Sequence, residues 1–467
     1  MSKEDKHIDL NHSVYVDMKE DLDKIGPGMC LAKWTQVTLQ LQTGHNHSCH
    51  HPNTHKISEK EIARNPSALH NTQFKKIRRR EMLTGKRPAE CDYCWNVEDN
   101  SSEFSDRVFK STESWSKPHL EEIVELDWRE DYNPRYVEVA FSNACNFKCS
   151  YCAPAFSTTW MQEIEQHGAY PTTDKFNSLE HNRVENKMPI PKRDPNPYVD
   201  AFWKWWPDLY RDLHTFRITG GEPLLSKHTW RVLEYIKENP NPNLTLAINT
   251  NMNVPSKLID KLVDMLNEIS PHIHQFDIYT SLESTGADAE YTRYGMEYDE
   301  FIKNCYYFLD NTPANSRLHF MTTVNLTSVP TFLGFLEMIQ TMREKYAIVK
   351  HDFRVRTMIS YLRWPKFLNV NLLAQETKEK YAKEWLDFVN DFIITDEVEN
   401  YQVLYNEEAD QIQRLADYML TSTPDTKQQY DEFRTYVVAC DKRRNTDFAT
   451  SFPELAYLLN ENYYGEL

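Results

Sequence analysis

Three cysteines fall within eight residues, in Cys145-Asn-Phe-Lys-Cys149-Ser-Tyr-Cys152. Thiolates at this spacing let one short loop wrap the corner of a cubane iron–sulfur cluster. Four thiolates would close such a cluster, whereas three leave one iron open to another ligand. A structural zinc would need a fourth donor nearby, and no His or Cys follows closely after Cys152. Three unrelated buried thiols, each packing like a small hydrophobe, would have no reason to share one loop.

A second segment, Thr219-Gly220-Gly221-Glu222-Pro223, holds the only Gly-Gly pair of a chain with 11 glycines in 467 residues. Paired glycines allow backbone to approach a ligand closely; the plainer alternative is a tight turn. A third group lies near the start of the chain. Cys30 and Cys49 bracket Gly44, and Cys91-Asp-Tyr-Cys94 follows. Four thiols in two pairs complete either a tetrahedral zinc site or a cubane cluster, and spacing does not decide between them. His45, His47, His50, His51 and His55 crowd Cys49, which favours zinc or a mixed site there, although a polar loop is the preferred reading of the histidines themselves. Cys305 shares a helix face with Phe301 and Phe308 and reads as core. Cys440 reads as core too, with a late ligand or a proton donor as its alternatives.

The elements that must position these residues change character along the chain. Residues 34–41 alternate like one arm of a hairpin turning at Thr43–Gly44, and residues 57–84 read as helical, stopping at Gly85 before Pro88. A polar, Ser/Glu-rich stretch at 96–133 places a linker at 106–135. From residue 136 strands and amphipathic helices alternate, with six strand candidates at 136–141, 215–219, 244–250, 275–282, 317–324 and 353–360. That alternation predicts an α/β fold of parallel βα units, a partial (β/α)6 TIM-like barrel with its chemistry at the C-terminal strand ends. The proline-rich 168–200 reads as a loop insertion. The expected division is 1–105 cysteine-rich, 106–135 linker, 136–365 barrel and 366–467 a helical C-terminal extension.

Composition narrows the partners. The chain holds 53 basic and 70 acidic residues, a net charge of −17, with an apolar fraction of 40%. Such a balance supports a large core and argues against a nucleic-acid backbone as partner. The one basic run, Lys75, Lys76, Arg78, Arg79 and Arg80, reads as a solvated helix face. No apolar run reaches membrane-spanning length and no signal peptide is apparent, so a cytoplasmic location is expected, with cysteines as ligands rather than disulfides.

The three-cysteine spacing, with Tyr151 before its last cysteine, resembles the signature of the radical S-adenosylmethionine (SAM) superfamily. The Gly220-Gly221-Glu222-Pro223 segment at the next strand end resembles the part of those enzymes that contacts the methionyl amine of SAM. Ser281-Leu282-Glu283 is similar to the ribose-binding segment, although many relatives carry Asp where Glu283 stands. Arg293-Tyr294-Gly295 also resembles the family, and Asn249, with Asn251, ends a strand facing the same pocket. The resemblance implies a [4Fe-4S] cluster on Cys145, Cys149 and Cys152, and SAM chelated at its open iron. It further implies reductive cleavage to a 5′-deoxyadenosyl radical for substrate hydrogen abstraction, and a low-potential electron donor such as flavodoxin or ferredoxin.

The hairpin spacing and the later CxxC look like the twitch or SPASM-type auxiliary-cluster domains of that superfamily, which implies an auxiliary [4Fe-4S] cluster on Cys30, Cys49, Cys91 and Cys94. Zinc remains the alternative there. This auxiliary segment precedes the barrel, whereas in relatives it usually follows. Substrates implied are a peptide or protein, which the acidic charge favours, or a small molecule. The alternative outside catalysis is a zinc-stabilised cysteine-rich binding module.

Overall fold

The computed structural model describes residues 3–173, 177–349, 352–392 and 404–465. Its strands are β1 (Gln36–Gln40), β2 (His45–His47), β3 (His55–Lys56), β4 (Tyr136–Ala140), β5 (Lys148–Cys149), β6 (Thr215–Thr219) and β7 (Asn241–Asn249). Then follow β8 (Ile273–Ser281), β9 (Arg293–Tyr294), β10 (Ser316–Val324), β11 (Ala347–Val349), β12 (Asp352–Phe353) and β13 (Val355–Tyr361). The fold is α/β, and nine of these strands make up a large, mostly parallel sheet. All six expected parallel strands are present, as β4, β6, β7, β8, β10 and β13.

The chain divides into two compact units. The first comprises Met1–Ser142, Pro189–Gly220 and Asn241–Ala247. Within it β4 pairs in parallel with β6 on one side and with β1 on the other, Val139 lying opposite both Ile218 and Leu39. β1 turns back antiparallel into β2, so the expected hairpin exists, but Trp34 and Thr35 belong to a helical turn before it. What local alternation did not announce is the parallel edge of β1, whose partner lies a hundred residues on. The core of this unit gathers Met18, Leu22, Trp34, Met82, Val108 and Ile123.

Three readings are corrected here. The stretch 106–135 is no free linker: helices Asp106–Thr112 and Leu120–Glu125 bury Val108 and Ile123 in that core. A few well-spaced apolar residues suffice to dock an otherwise polar segment. The helix at 57–84 is broken into Glu59–Arg64 and Gln73–Leu83 around Pro66, which removes a backbone donor. Lys75 and Arg79, one helical turn apart, are buried rather than solvated. Lys75 Nζ donates to the Gln36 carbonyl, and Arg79 Nε to the Lys33 carbonyl.

The second unit comprises Asn143–Met188, Gly221–Pro240 and Ile248–Leu467. Here β8, β10 and β13 run parallel in chain order. Leu318 and Phe320 point to one face and are fully buried, while His319 and Met321 share the other. The helices Ser256–Ile269, Tyr298–Asn311 and Phe332–Tyr346 carry apolar stripes such as Ile259, Leu262 and Leu266. A short antiparallel pair joins β5 to β9, Cys149 lying opposite Arg293. The C-terminal extension is helical over Gln375–Phe392, Asn406–Thr421 and Gln428–Arg444; part of that expectation, residues 393–403, lies outside the described residues, as do 174–176 of the insertion. Among the described residues no helix is long and apolar enough to cross a membrane.

Candidate functional site

The segment from Asn143 to Cys152 leaves the C-terminal end of β4, where parallel sheets place their chemistry. Its first residues are pressed against the Gly-Gly turn. Gly220 has φ +119°, a conformation that favours glycine, and a Cβ there would stand 2.6 Å from the Ser142 carbonyl oxygen. A Cβ on Gly221 would stand 2.4 Å from the Ala144 oxygen. The Glu222 backbone N–H donates to that same oxygen at 2.6 Å. The glycines thus let two backbone segments touch directly before Cys145.

Glu222 is buried, and its carboxylate accepts three hydrogen bonds from within the chain. It accepts from Leu224 N (2.9 Å), Thr250 Oγ1 (2.8 Å) and Asn251 N (2.7 Å). Pro223 opens the 3₁₀ turn that follows. Burial pushes the Glu222 carboxyl up to about 7, against the hydrogen bonds that pull it down. A carboxyl raised in the folded state from 4.5 stabilises the fold below that pH and loses the contribution as pH rises through about 7. The difference is on the order of 3 kcal/mol. Urea midpoints compared at pH 4.5 and pH 8 should show this decline, and Glu222→Gln should flatten it; an unchanged slope in the variant would refute the assignment.

Tyr151, Glu283 and Arg293 are brought together although 142 residues separate the first from the last. Arg293 Nη2 meets Glu283 Oε2 at 2.5 Å and Tyr151 Oη at 2.5 Å, while Tyr151 donates to Glu283 Oε1 at 3.0 Å. Arg293 Nη1 also stands 3.8 Å from Cys149 Sγ. Glu283 is completely buried and Arg293 nearly so. Burial raises the Cys149 thiol, and the Arg293 charge opposes that rise. Burial likewise pushes Cys145 up, and Cys152 up to about 12. Such thiols stay protonated until a metal displaces the proton. The Phe147 N–H points at Cys145 Sγ (3.4 Å). Three soft donors with N–H groups and a guanidinium beside them suit an anionic iron–sulfur cluster. Ser281 ends β8 half-buried opposite Met321, and Asn249 at the end of β7 reaches Met321 Sδ at 3.5 Å. Neither enters the Tyr151–Glu283–Arg293 network.

The sequence did not single out the residues that brace this loop. Lys148 pairs with buried Glu163 (2.7 Å), and Trp160 Nε1 donates to the Cys149 carbonyl (2.9 Å). No motif announces them, since their partners are set by how a helix folds back on the loop. Cys305 is core as expected. Cys440 is buried, but its Sγ lies 3.3 Å from Tyr170 Oη rather than among apolar groups alone.

The first unit holds a separate constellation. Cys30, Cys49, Cys91 and Cys94 line one cavity together with Lys33 and Arg107. Cys30 and Cys91 pack on the hydrophobic core. Lys33 pairs with Glu90, and Arg107 holds Glu98 at 2.7 Å. Burial raises all four thiols, Cys94 to about 11, and Lys33 opposes the rise at Cys49 and Cys91. Four soft donors beside two cations are the donor types that a metal–thiolate centre uses. The histidines are not a plain polar loop: His45 and His47 form β2 and are buried, while His51 pairs with Asp106 (2.7 Å) and stacks on Tyr93. Among the described residues, no three His, Cys, Asp or Glu side chains converge as around a single ion.

Residues 139–336 match the family model described as the Radical SAM superfamily. A radical SAM domain therefore covers that segment, which implies a [4Fe-4S] cluster and SAM and supports SAM-dependent radical chemistry in general. The matched residues include all three cysteines, the Gly-Gly turn, Glu283 and Arg293. No curated protein matches this chain.

Proposed function

We propose that the chain is a radical SAM enzyme in which Cys145, Cys149 and Cys152 hold the catalytic cluster and leave one iron for SAM. The observation that carries this reading is the three-thiol loop lying at a parallel strand's C-terminal end, inside the matched segment, with Arg293 against Cys149. Cluster and SAM would supply a 5′-deoxyadenosyl radical that takes a hydrogen atom from the substrate. The chain's own part is to hold and shield. Gly220 and Gly221 let the Cys145 segment approach the second strand end, and Glu222 braces it through Thr250 and Asn251. Arg293 places a buried positive charge beside Cys149, fixed in turn by Glu283 and Tyr151. Pro223, Ser281 and Asn249, at the ends of their elements, are assigned to the SAM pocket.

We assign the domains as 1–105 twitch-like, 106–135 a connection docked on its core, 136–365 a partial (β/α)6 barrel and 366–467 a C-terminal extension. In the twitch-like part Cys30, Cys49, Cys91 and Cys94 hold an auxiliary cluster, with zinc as the competing occupant. The substrate class is a peptide or protein, favoured by the acidic charge, or a small molecule; the electron donor is flavodoxin- or ferredoxin-like.

Anaerobic reconstitution tests the reading. Wild type should hold about eight irons and a Cys145/Cys149/Cys152→Ala variant about four, since each cubane has four. Only wild type should then yield 5′-deoxyadenosine from SAM under dithionite. About four irons plus zinc in wild type would keep the catalytic cluster and remove the auxiliary one. If neither protein binds iron, the zinc-stabilised binding module takes this reading's place.

A further inference from the structure

Helix Gln428–Arg444 lies outside the segment that matches the family, yet two of its side chains reach the three-cysteine loop, one directly and one through Glu163. Tyr436, buried, donates to the Ser150 carbonyl at 2.7 Å, one residue past Cys149. Arg444 places Nε and Nη2 at 3.2 and 3.3 Å from the Glu163 carboxylate. That carboxylate also takes Lys148 Nζ (2.7 Å), one residue before Cys149, and Tyr170 Oη (2.6 Å). The Arg444 carbonyl in turn accepts from Tyr294 Oη at 3.0 Å, on the strand that pairs with Lys148 and Cys149. Glu163 and Arg444 are both buried, and Lys148 is largely so. Burial would raise the Glu163 carboxyl, but Arg444, Lys148 and Tyr170 overcome it and hold the group at about 2. One carboxylate therefore faces two cations directly behind Cys149.

We propose that Glu163 is a positioning residue for the catalytic cluster, cross-linking Lys148 to Arg444 so that the C-terminal helix becomes the back wall of the loop and sets its local charge. This rests on the reading that the loop holds a cluster. Cluster potentials follow net charge and nearby hydrogen bonds. Removing the Glu163 charge leaves two uncompensated cations and favours the reduced cluster, whereas removing the Lys148 charge does the opposite. A network that only supported the fold would not produce shifts of opposite sign.

The test follows the reduced-cluster EPR signal that changes on adding SAM, because only a cluster with an open iron responds, in reconstituted full-length protein. Glu163→Gln should move its midpoint potential upward and Lys148→Met downward. Glu408→Gln breaks an equally buried ion pair with Arg343, between helices Phe332–Tyr346 and Asn406–Thr421, and should destabilise the protein without moving the potential. Should Glu163→Gln fail to fold, Arg444→Met takes its place: it removes the cation held behind the loop by Glu163 and should move the potential downward, and an unmoved potential would overturn the inference. Potentials unmoved in Lys148→Met and Glu163→Gln, or shifted in one direction by both, would overturn the inference and leave the cluster reading intact. Wild type with iron but no SAM-responsive signal, or without iron, would remove the cluster reading and the inference with it.

Discussion

Gly221→Ala should lower the rate of SAM cleavage about a hundredfold while shifting the melting temperature by only a few degrees. The added methyl would lie 2.4 Å from the Ala144 carbonyl oxygen and 2.8 Å from two backbone carbons of residues 143 and 144. None of these atoms belongs to a flexible side chain, so the backbone itself must move. Overpacking of this kind costs roughly 1–3 kcal/mol in stability. Its effect on chemistry is larger, because the displaced oxygen belongs to the residue before Cys145 and anchors the Glu222 N–H. A misplacement of about 1 Å costs on the order of 10²-fold in rate when reacting groups must meet. Chromatographic yield of 5′-deoxyadenosine over time, beside a thermal melt, checks both halves. Wild-type turnover in the variant would mean the two segments tolerate separation, and the glycine pair would then be no more than a turn.

Arg293→Met should destabilise the fold by about 3–5 kcal/mol, the range for removing one member of a buried ion pair. The loss arises because Glu283, with no exposed surface, is left with the Tyr151 hydroxyl and without its cation. The double variant Arg293→Met/Glu283→Gln should recover most of that stability, since no buried charge is then left alone. SAM cleavage should stay low in the double variant, because Cys149 has lost the guanidinium 3.8 Å from its sulfur. Urea unfolding of the singles and the double, read as a cycle, separates the two effects. Additive losses would show that the pair does not act as a unit. Recovered stability with recovered turnover would show that Arg293 serves the fold alone.

Much of the architecture was legible from local pattern. Each of the six parallel strands is a short run that holds β-branched residues, and all six stand within a few residues of their expected bounds. The intervening helices were equally clear, because an apolar stripe such as Ile259, Leu262 and Leu266 has a period that only a helix satisfies. The three-cysteine loop was readable because a ligand set on one loop is a matter of spacing along the chain.

Segments whose fate depends on distant partners were not readable. Lys75 and Arg79 looked like solvent-facing charges, but the carbonyls of Gln36 and Lys33, with His70 and Asn71, draw them inward. The polar 106–135 looked like a tether, and the core around Trp34 claims its few apolar residues. Glu222 illustrates the same division at the site. Its position after the Gly-Gly pair marked it, but its carboxylate proves committed to Thr250, Asn251 and Leu224.

What the amino-acid order determined by itself is therefore the grouping of three cysteines on one loop and the succession of strands and helices, since both follow from periodicity and spacing within a few dozen residues. Only the tertiary structure decided which charges are buried and what answers them. The pairing of Arg293 with Glu283 and Tyr151, and the hold of Glu163 on Lys148 and Arg444, join residues up to 281 positions apart. A side chain's burial and its counter-charge are properties of the packed neighbourhood, and no local pattern in the chain encodes them.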